Sequence, residues 1–140
     1  MLPPGQPQEG LRRLQEYTGY LRQLARTPRD AFVSDFVRLG SAKYYLQVAI
    51  EACLDLAQYL IARRGWRTPQ SYADTFVVLA EQGIIPDDFL PVLRRMAAFR
   101  NRLVHLYWDV DADTIHHVLQ KDLGDFDRYA ALLSAAIGEA

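Results

Sequence analysis

Cysteine is almost missing from this sequence. Cys53 is the one thiol in 140 residues, so no internal disulfide can form and a multi-cysteine zinc site is excluded. Lysine is nearly as scarce, with two residues against 14 arginines. A surplus of either charge is also lacking: 16 basic side chains meet 17 acidic ones, for a net charge of −1. That balance excludes a protein that holds nucleic acid by bulk positive charge, and any phosphate site must come from local segregation of charge. There is no alternating strand pattern, no internal repeat, no Walker loop and no dinucleotide fingerprint. Met1 to Gly10 holds three prolines and two glycines without a basic n-region or an apolar h-region, so residues 1–8 read as a loose leader rather than an address. The uncharged run Tyr129 to Gly138 is too short to span a bilayer. A cytoplasmic protein with no membrane partner is the expectation.

What is present is apolar and helical. Half of the residues are hydrophobic, and a chain of this length buries roughly 68–70% of its unfolded surface, enough for one core without staples. Leu11, Leu14, Tyr17, Leu21 and Leu24 recur at steps of three and four, which predicts a helix over about Gln8 to Ala25. A longer pattern from Asp30 to Arg64 places Phe32, Phe36, Leu39, Leu46, Ile50, Cys53, Leu54, Ala57 and Ile61 on an inner face. Gly40 weakens it or marks a close contact, and Gly65 ends it. Ser71 to Gln82 predicts a short helix with Phe76, Leu79 and Ala80 inside. Pro86-Asp87-Asp88 is a start signal for a helix through about Arg102, and Val104 to Val110 reads as a break. Asp111 or Asp113 then caps a last helix to about Ile137. The expectation is an all-α, up-and-down bundle of about five helices, one domain over residues 9–138.

Charge is segregated along the chain. Arg94 to Arg102 contains four arginines and no acid, whereas Asp109 to Asp127 contains six aspartates and one lysine. The basic helix ends in Phe99-Arg100-Asn101-Arg102-Leu103-Val104-His105-Leu106-Tyr107. Arginine and histidine are what metal-free RNA cleavage requires. An imidazole with a reference pKa near ~6.5 can move the protons of the 2′-hydroxyl and the leaving oxygen, and a guanidinium can neutralise the phosphorane. Residues five apart on an ideal helix are rotated by about 140°. Arg100 and His105 therefore converge only if the helix unwinds after Leu103 or a second subunit supplies one of them. Taken alone the pair is weak, since a helix-end histidine commonly caps carbonyls.

From about Lys43 to Leu133 the chain resembles the HEPN superfamily, most closely the HepT-type toxins encoded beside a minimal nucleotidyltransferase (MNT) antitoxin. The resemblance rests on Tyr45-Leu46-Gln47-Val48-Ala49-Ile50-Glu51-Ala52-Cys53-Leu54-Asp55-Leu56-Ala57, on Leu79-Ala80-Glu81-Gln82-Gly83-Ile84-Ile85, and on Met96 to Tyr107. The family motif is arginine, four to six residues, histidine, one residue, tyrosine. Arg100, His105 and Tyr107 meet it with a four-residue gap. The resemblance implies a HEPN-like bundle that dimerises through its motif face and acts as a metal-independent endoribonuclease on tRNA or mRNA, with no cofactor. It further implies a type VII-like toxin–antitoxin system. In it Arg100 holds the scissile phosphate, His105 is the general acid or base, and Asn101 donates to phosphate or orients the histidine. Tyr107 is then the acceptor of AMP from the partner, and two copies across a twofold would double the local positive charge. A plain reading of Tyr107 packs its ring on the last helix.

Glu51 lies one turn from Asp55 on a polar stripe with Gln47 and Gln58. It reads either as part of a solvated face or as a carboxylate that orients Arg100 or Arg102. His116 and His117 point about 100° apart and read as surface residues, Cys53 as a core residue, and Trp66 and Trp108 as loop residues. Trp108 could stack on a base or cover a helix end. The rival from another class is a non-catalytic HEPN module that binds nucleotide or substrate for a nucleotidyltransferase; the intact Arg100, Asn101, His105 and Tyr107 set favours the enzyme.

Overall fold

A computed structural model describes residues 6–138. Its helices are α1 (Pro7–Ala25), α2 (Arg29–Val33), α3 (Phe36–Arg64), α4 (Tyr72–Glu81), α5 (Leu90–His105), α6 (Ala112–Lys121) and α7 (Leu123–Gly138), with a 3₁₀ turn at Tyr107–Asp109. Among the described residues there is no strand, and no helix is long and apolar enough to cross a membrane. Residues 1–5 of the expected leader lie outside the described residues. Pro7 and Gln8, placed in that leader, form the first turn of α1, where the missing proline donor costs nothing.

Two of the expected helices are each divided, which turns about five into seven. Asp35 leaves the helical region at φ −115°, ψ 101°, and its carboxylate accepts from the backbone N–H groups of Val37 and Arg38. An Asx cap of this kind competes with helix continuation. The apolar period runs on across the break and hides it. Phe36, expected inside, is consequently the first residue of α3 and is 85% exposed. The last helix breaks at Asp122, the C-cap of α6, whose backbone N–H donates to the Val118 carbonyl oxygen, and α7 starts at Leu123.

α3 is the spine. α1, α2, α4, α5, α6 and α7 all pack on it, and Ala49, Cys53, Leu56, Ala57 and Leu60 are fully buried along its length. Tyr129 of α7 crosses the core and donates its hydroxyl to the Cys53 carbonyl oxygen at 2.6 Å. Gly65 ends α3 at φ +67°, a left-handed C-cap that L side chains adopt only under strain.

α5 starts later and ends later than its sequence signals suggest. Pro86 to Phe89 form a turn, with Phe89 N–H donating to the Pro86 carbonyl oxygen. Pro91 falls in the first helical positions, and the helix stays regular through His105 rather than stopping near Arg102. It packs on α3 and α4, so its C-terminal end opens at the junction of three helices.

Candidate active site

Arg100 is held from two sides. Its Nε and Nη2 donate to one oxygen of Glu51, Oε2, at 3.0 and 2.8 Å, and Gln47 Nε2 donates to the same oxygen at 3.2 Å. The ring of Tyr72, at the start of α4, lies under the guanidinium with 4.8 Å from Cζ to the ring centroid. Only 15% of the arginine side chain is exposed. Glu51 thus pairs with Arg100, and not with Arg102, while a third of its side chain stays exposed. Arg102 is exposed and turned elsewhere, its charge helping to hold the Asp111 carboxyl below the ordinary range, behind the larger effect of the Thr114 N–H.

A guanidinium carries five N–H groups in a planar fork. Glu51 takes two of them, and Asn101 Oδ1 accepts one from Nη1 at 3.4 Å. The remaining donors suffice for a bidentate grip on phosphate. Asn101 and His105 are four apart and share one face of α5, with Asn101 accepting from Arg100. His105 is exposed, and no side-chain hydrogen bond holds it among the described residues. The helix does not unwind after Leu103, so of the two routes by which the pair could converge only a second subunit is left. Arg100, Asn101 and His105 border one open groove of about 980 Å³ from adjacent faces of α5.

Tyr107 rests on α3, not on the last helix. The ammonium of Lys43 sits 4.0 Å from its ring centroid and donates to its carbonyl oxygen at 2.9 Å. Lys43 is only 5% exposed, and burial pushes its pKa down. A Cβ on Gly40 would stand 4.0 Å from the Tyr107 hydroxyl, an ordinary van der Waals contact. Trp108 meets Tyr107 edge-on with centroids 5.2 Å apart and is 91% exposed; it covers no helix end.

The basic run of the sequence has acids near it in space. Glu51 pairs with Arg100. The charges of Arg94, Arg95 and Arg102 act on Asp74, Asp125 and Asp111. Two of those three acids come from the aspartate-rich stretch 109–127. Lys43 and Tyr72, which fix Tyr107 and Arg100, went unnoticed in the sequence. The one signal for Lys43 was a rare lysine amid the apolar residues of α3; Tyr72 had only its place beside the cap Ser71.

The remaining candidates are structural. Cys53 is fully buried, and burial raises its thiol pKa far above the usual range. His116 is half-buried with its ring 5.6 Å from Phe32, while His117 is exposed. Among the described residues no three His, Cys, Asp or Glu side chains gather as a metal set.

Comparison with known proteins gives a consistent picture. The family described as "Ribonuclease HepT-like" matches residues 8–133. An mRNA nuclease HepT of Shewanella oneidensis is 33% identical over 104 residues, 74% of this chain and 78% of the relative. A tRNA nuclease HepT of Aphanizomenon flos-aquae is 20% identical over 119 residues, 85% of this chain and 81% of the relative. In structure the chain is similar to a tri-AMPylated HEPN toxin of Shewanella oneidensis in complex with an MNT antitoxin. The TM-score is 0.86 at 26% identity, covering 95% of this chain and 99% of the other. A toxin–antitoxin complex with AMP-PNP gives 0.82 at 27% identity, over 92% and 97%.

Proposed function

The chain belongs to the HepT-like ribonuclease family, and from that premise we propose that Arg100, Asn101 and His105 cut RNA without a metal and that transfer of AMP to Tyr107 silences them. It is the nuclease toxin of a toxin–antitoxin pair whose antitoxin is an MNT nucleotidyltransferase. The observation that carries the catalytic reading is the anchored Arg100, which faces a groove shared with Asn101 and His105.

In the cut, the 2′-oxygen attacks phosphorus and gives up its proton, the phosphorane collapses, and the bond to the 5′-oxygen breaks as that oxygen takes a proton. The guanidinium offers its unspent N–H groups where charge grows on the phosphoryl oxygens. An imidazole serves as base for the first proton or as acid for the second. One imidazole cannot do both in a single concerted step, so a second copy of His105 across a twofold supplies the other role. A homodimer through the motif face provides it. In a purified assay on RNA, His105→Ala is expected to lower cleavage at least a hundredfold, with folding unchanged because the side chain is exposed. Cleavage at the wild-type rate overturns the assignment.

Tyr107 is well placed to accept a nucleotide. It is 37% exposed, it stands two residues from His105, and its hydroxyl faces the side-chain-free Gly40. An AMP there adds bulk and negative charge beside the catalytic histidine. After co-expression with the MNT partner, mass spectrometry should find adenylyl mass on the Tyr107 peptide and none in Tyr107→Phe. An unmodified peptide in a stable complex sinks this half of the reading.

A further inference from the structure

The Tyr72 ring with Arg100 stacked on it forms a partition between two recesses. On one side lies a small pocket bordered by Glu51 and Asp55, where a phosphodiester would meet two carboxylates. On the other lies the large groove, whose lining contains no carboxylate and includes Arg100 and His105. RNA bound for cleavage therefore enters through the groove.

The rest of that groove has the chemistry of a nucleobase site. Trp66, Pro69 and Tyr72 offer flat apolar surface, and Gln58, Gln70 and Ser71 offer amide and hydroxyl groups at its margin. Stacking platforms with neutral hydrogen-bonding groups are how single-stranded bases are held and told apart. The wall is built to be stiff. Arg67 donates to both oxygens of Asp74 at 2.8 and 2.9 Å and to Glu81 at 2.8 Å, Gln70 N–H donates to Asp74 at 2.9 Å, and Ser71 caps α4 at the Asp74 N–H. Arg67 and Asp74 border a separate hollow with Arg94 behind the loop, and neither they nor Glu81 line the groove. Its volume of about 980 Å³ is at the upper end of the roughly 300–1,000 Å³ of small-molecule sites, room for a nucleotide or two.

We infer that the groove between the α3–α4 loop and the end of α5 is a base-selective subsite. In it the nucleobase next to the scissile phosphate stacks on Tyr72, and the Gln70 and Gln58 amides read its edge. The inference rests on the ribonuclease reading of Arg100 and His105 and adds a specificity determinant to it.

The test uses RNA oligonucleotides carrying one abasic site on either side of the mapped cut. For the wild-type protein, loss of the base on one side should raise KM about tenfold with kcat little changed. Tyr72→Leu should treat intact and abasic RNA alike, whereas Tyr72→Phe keeps the difference. Gln70→Ala should keep the abasic penalty but level the preference among the four bases. Equal cleavage of intact and abasic RNA by the wild type, or an unchanged ratio in Tyr72→Leu, overturns the subsite. A second readout needs no cleavage: 2-aminopurine beside the cut should lose fluorescence on binding His105→Ala protein and retain it with the His105→Ala, Tyr72→Leu double variant. Quenching by a wild-type protein that cuts no RNA would bring down the ribonuclease reading alone. Cleavage without quenching would bring down the subsite alone.

Discussion

Arg100 shows how much a single residue owes to its neighbours. A free arginine carries about 2 kcal/mol of rotamer entropy, and a phosphate ligand would have to overcome it. Here Glu51 and Tyr72 have already fixed the guanidinium, so the ordering cost is met in folding. Glu51→Ala is expected to lower cleavage through kcat and to cost about 1–3 kcal/mol of stability, because a largely buried cation loses its acceptor; thermal melts and steady-state kinetics on the same preparation measure both. Glu51→Gln, which keeps an acceptor, should recover much of the stability. Lys43→Met should cost about 1 kcal/mol and free the Tyr107 turn, seen as faster amide exchange at Tyr107 to Val110. The motif residues stood out in the sequence through the family resemblance, since Arg100, His105 and Tyr107 match its pattern, and not through chemistry or spacing alone. Glu51 was legible only as one of two readings, since a carboxylate on a polar stripe looks the same whether it faces water or an arginine 49 residues away.

At the scale of elements, caps decided what periodicity could not. The apolar repeat ran through Ser34-Asp35 and through Asp122 without interruption, because the inner residues on both sides face one core. The first break lies in the side-chain chemistry of its cap, Asp35, and the second is a backbone turn at Asp122. Asp35→Ala removes the acceptor for two N–H groups of α3 and is expected to cost 0.5–2 kcal/mol, read as a shift in denaturant midpoint. The α3–α4 loop has its own pH dependence. Arg67 first, and then the Gln70 N–H, hold the Asp74 carboxyl well below the usual carboxylate range. A depressed carboxylate stabilises the fold above its unfolded value of about 3.9, and that contribution is lost as pH falls through the folded value. With Trp108 replaced by Phe, Trp66 emission should stay constant from neutral pH down to about 4 and change below it. A transition near pH 6 would point to another group.

The whole molecule reconciles a near-neutral composition with a nucleic-acid substrate differently from the linear sequence. The run from Arg94 to Arg102 suggested a basic surface, but folding places carboxylates of α3, α4, α6 and α7 around it, and only Arg100 and His105 open on the groove. Linear charge could not show this, because the compensating acids lie up to 49 residues away in sequence. The twofold assembly is tested by mass in solution: the species should be twice the chain mass across micromolar concentrations, and a strict monomer that still cuts would remove the need for a second histidine. Electrostatic isolation of the arginine also sets how the protein searches. Each phosphate contact to a single strand contributes a slope of about −0.7 to log affinity against log salt. One guanidinium from each of the two protomers therefore predicts a slope of about −1.4, far from the steep loss of proteins that grip 6–10 phosphates, and KM measured from 50 to 200 mM salt reads it directly. With so few counterions to release, the protein gains little from lingering on an arbitrary strand. The expected search is by brief collisions instead of sliding, with a productive encounter decided within the few nucleotides that touch the site.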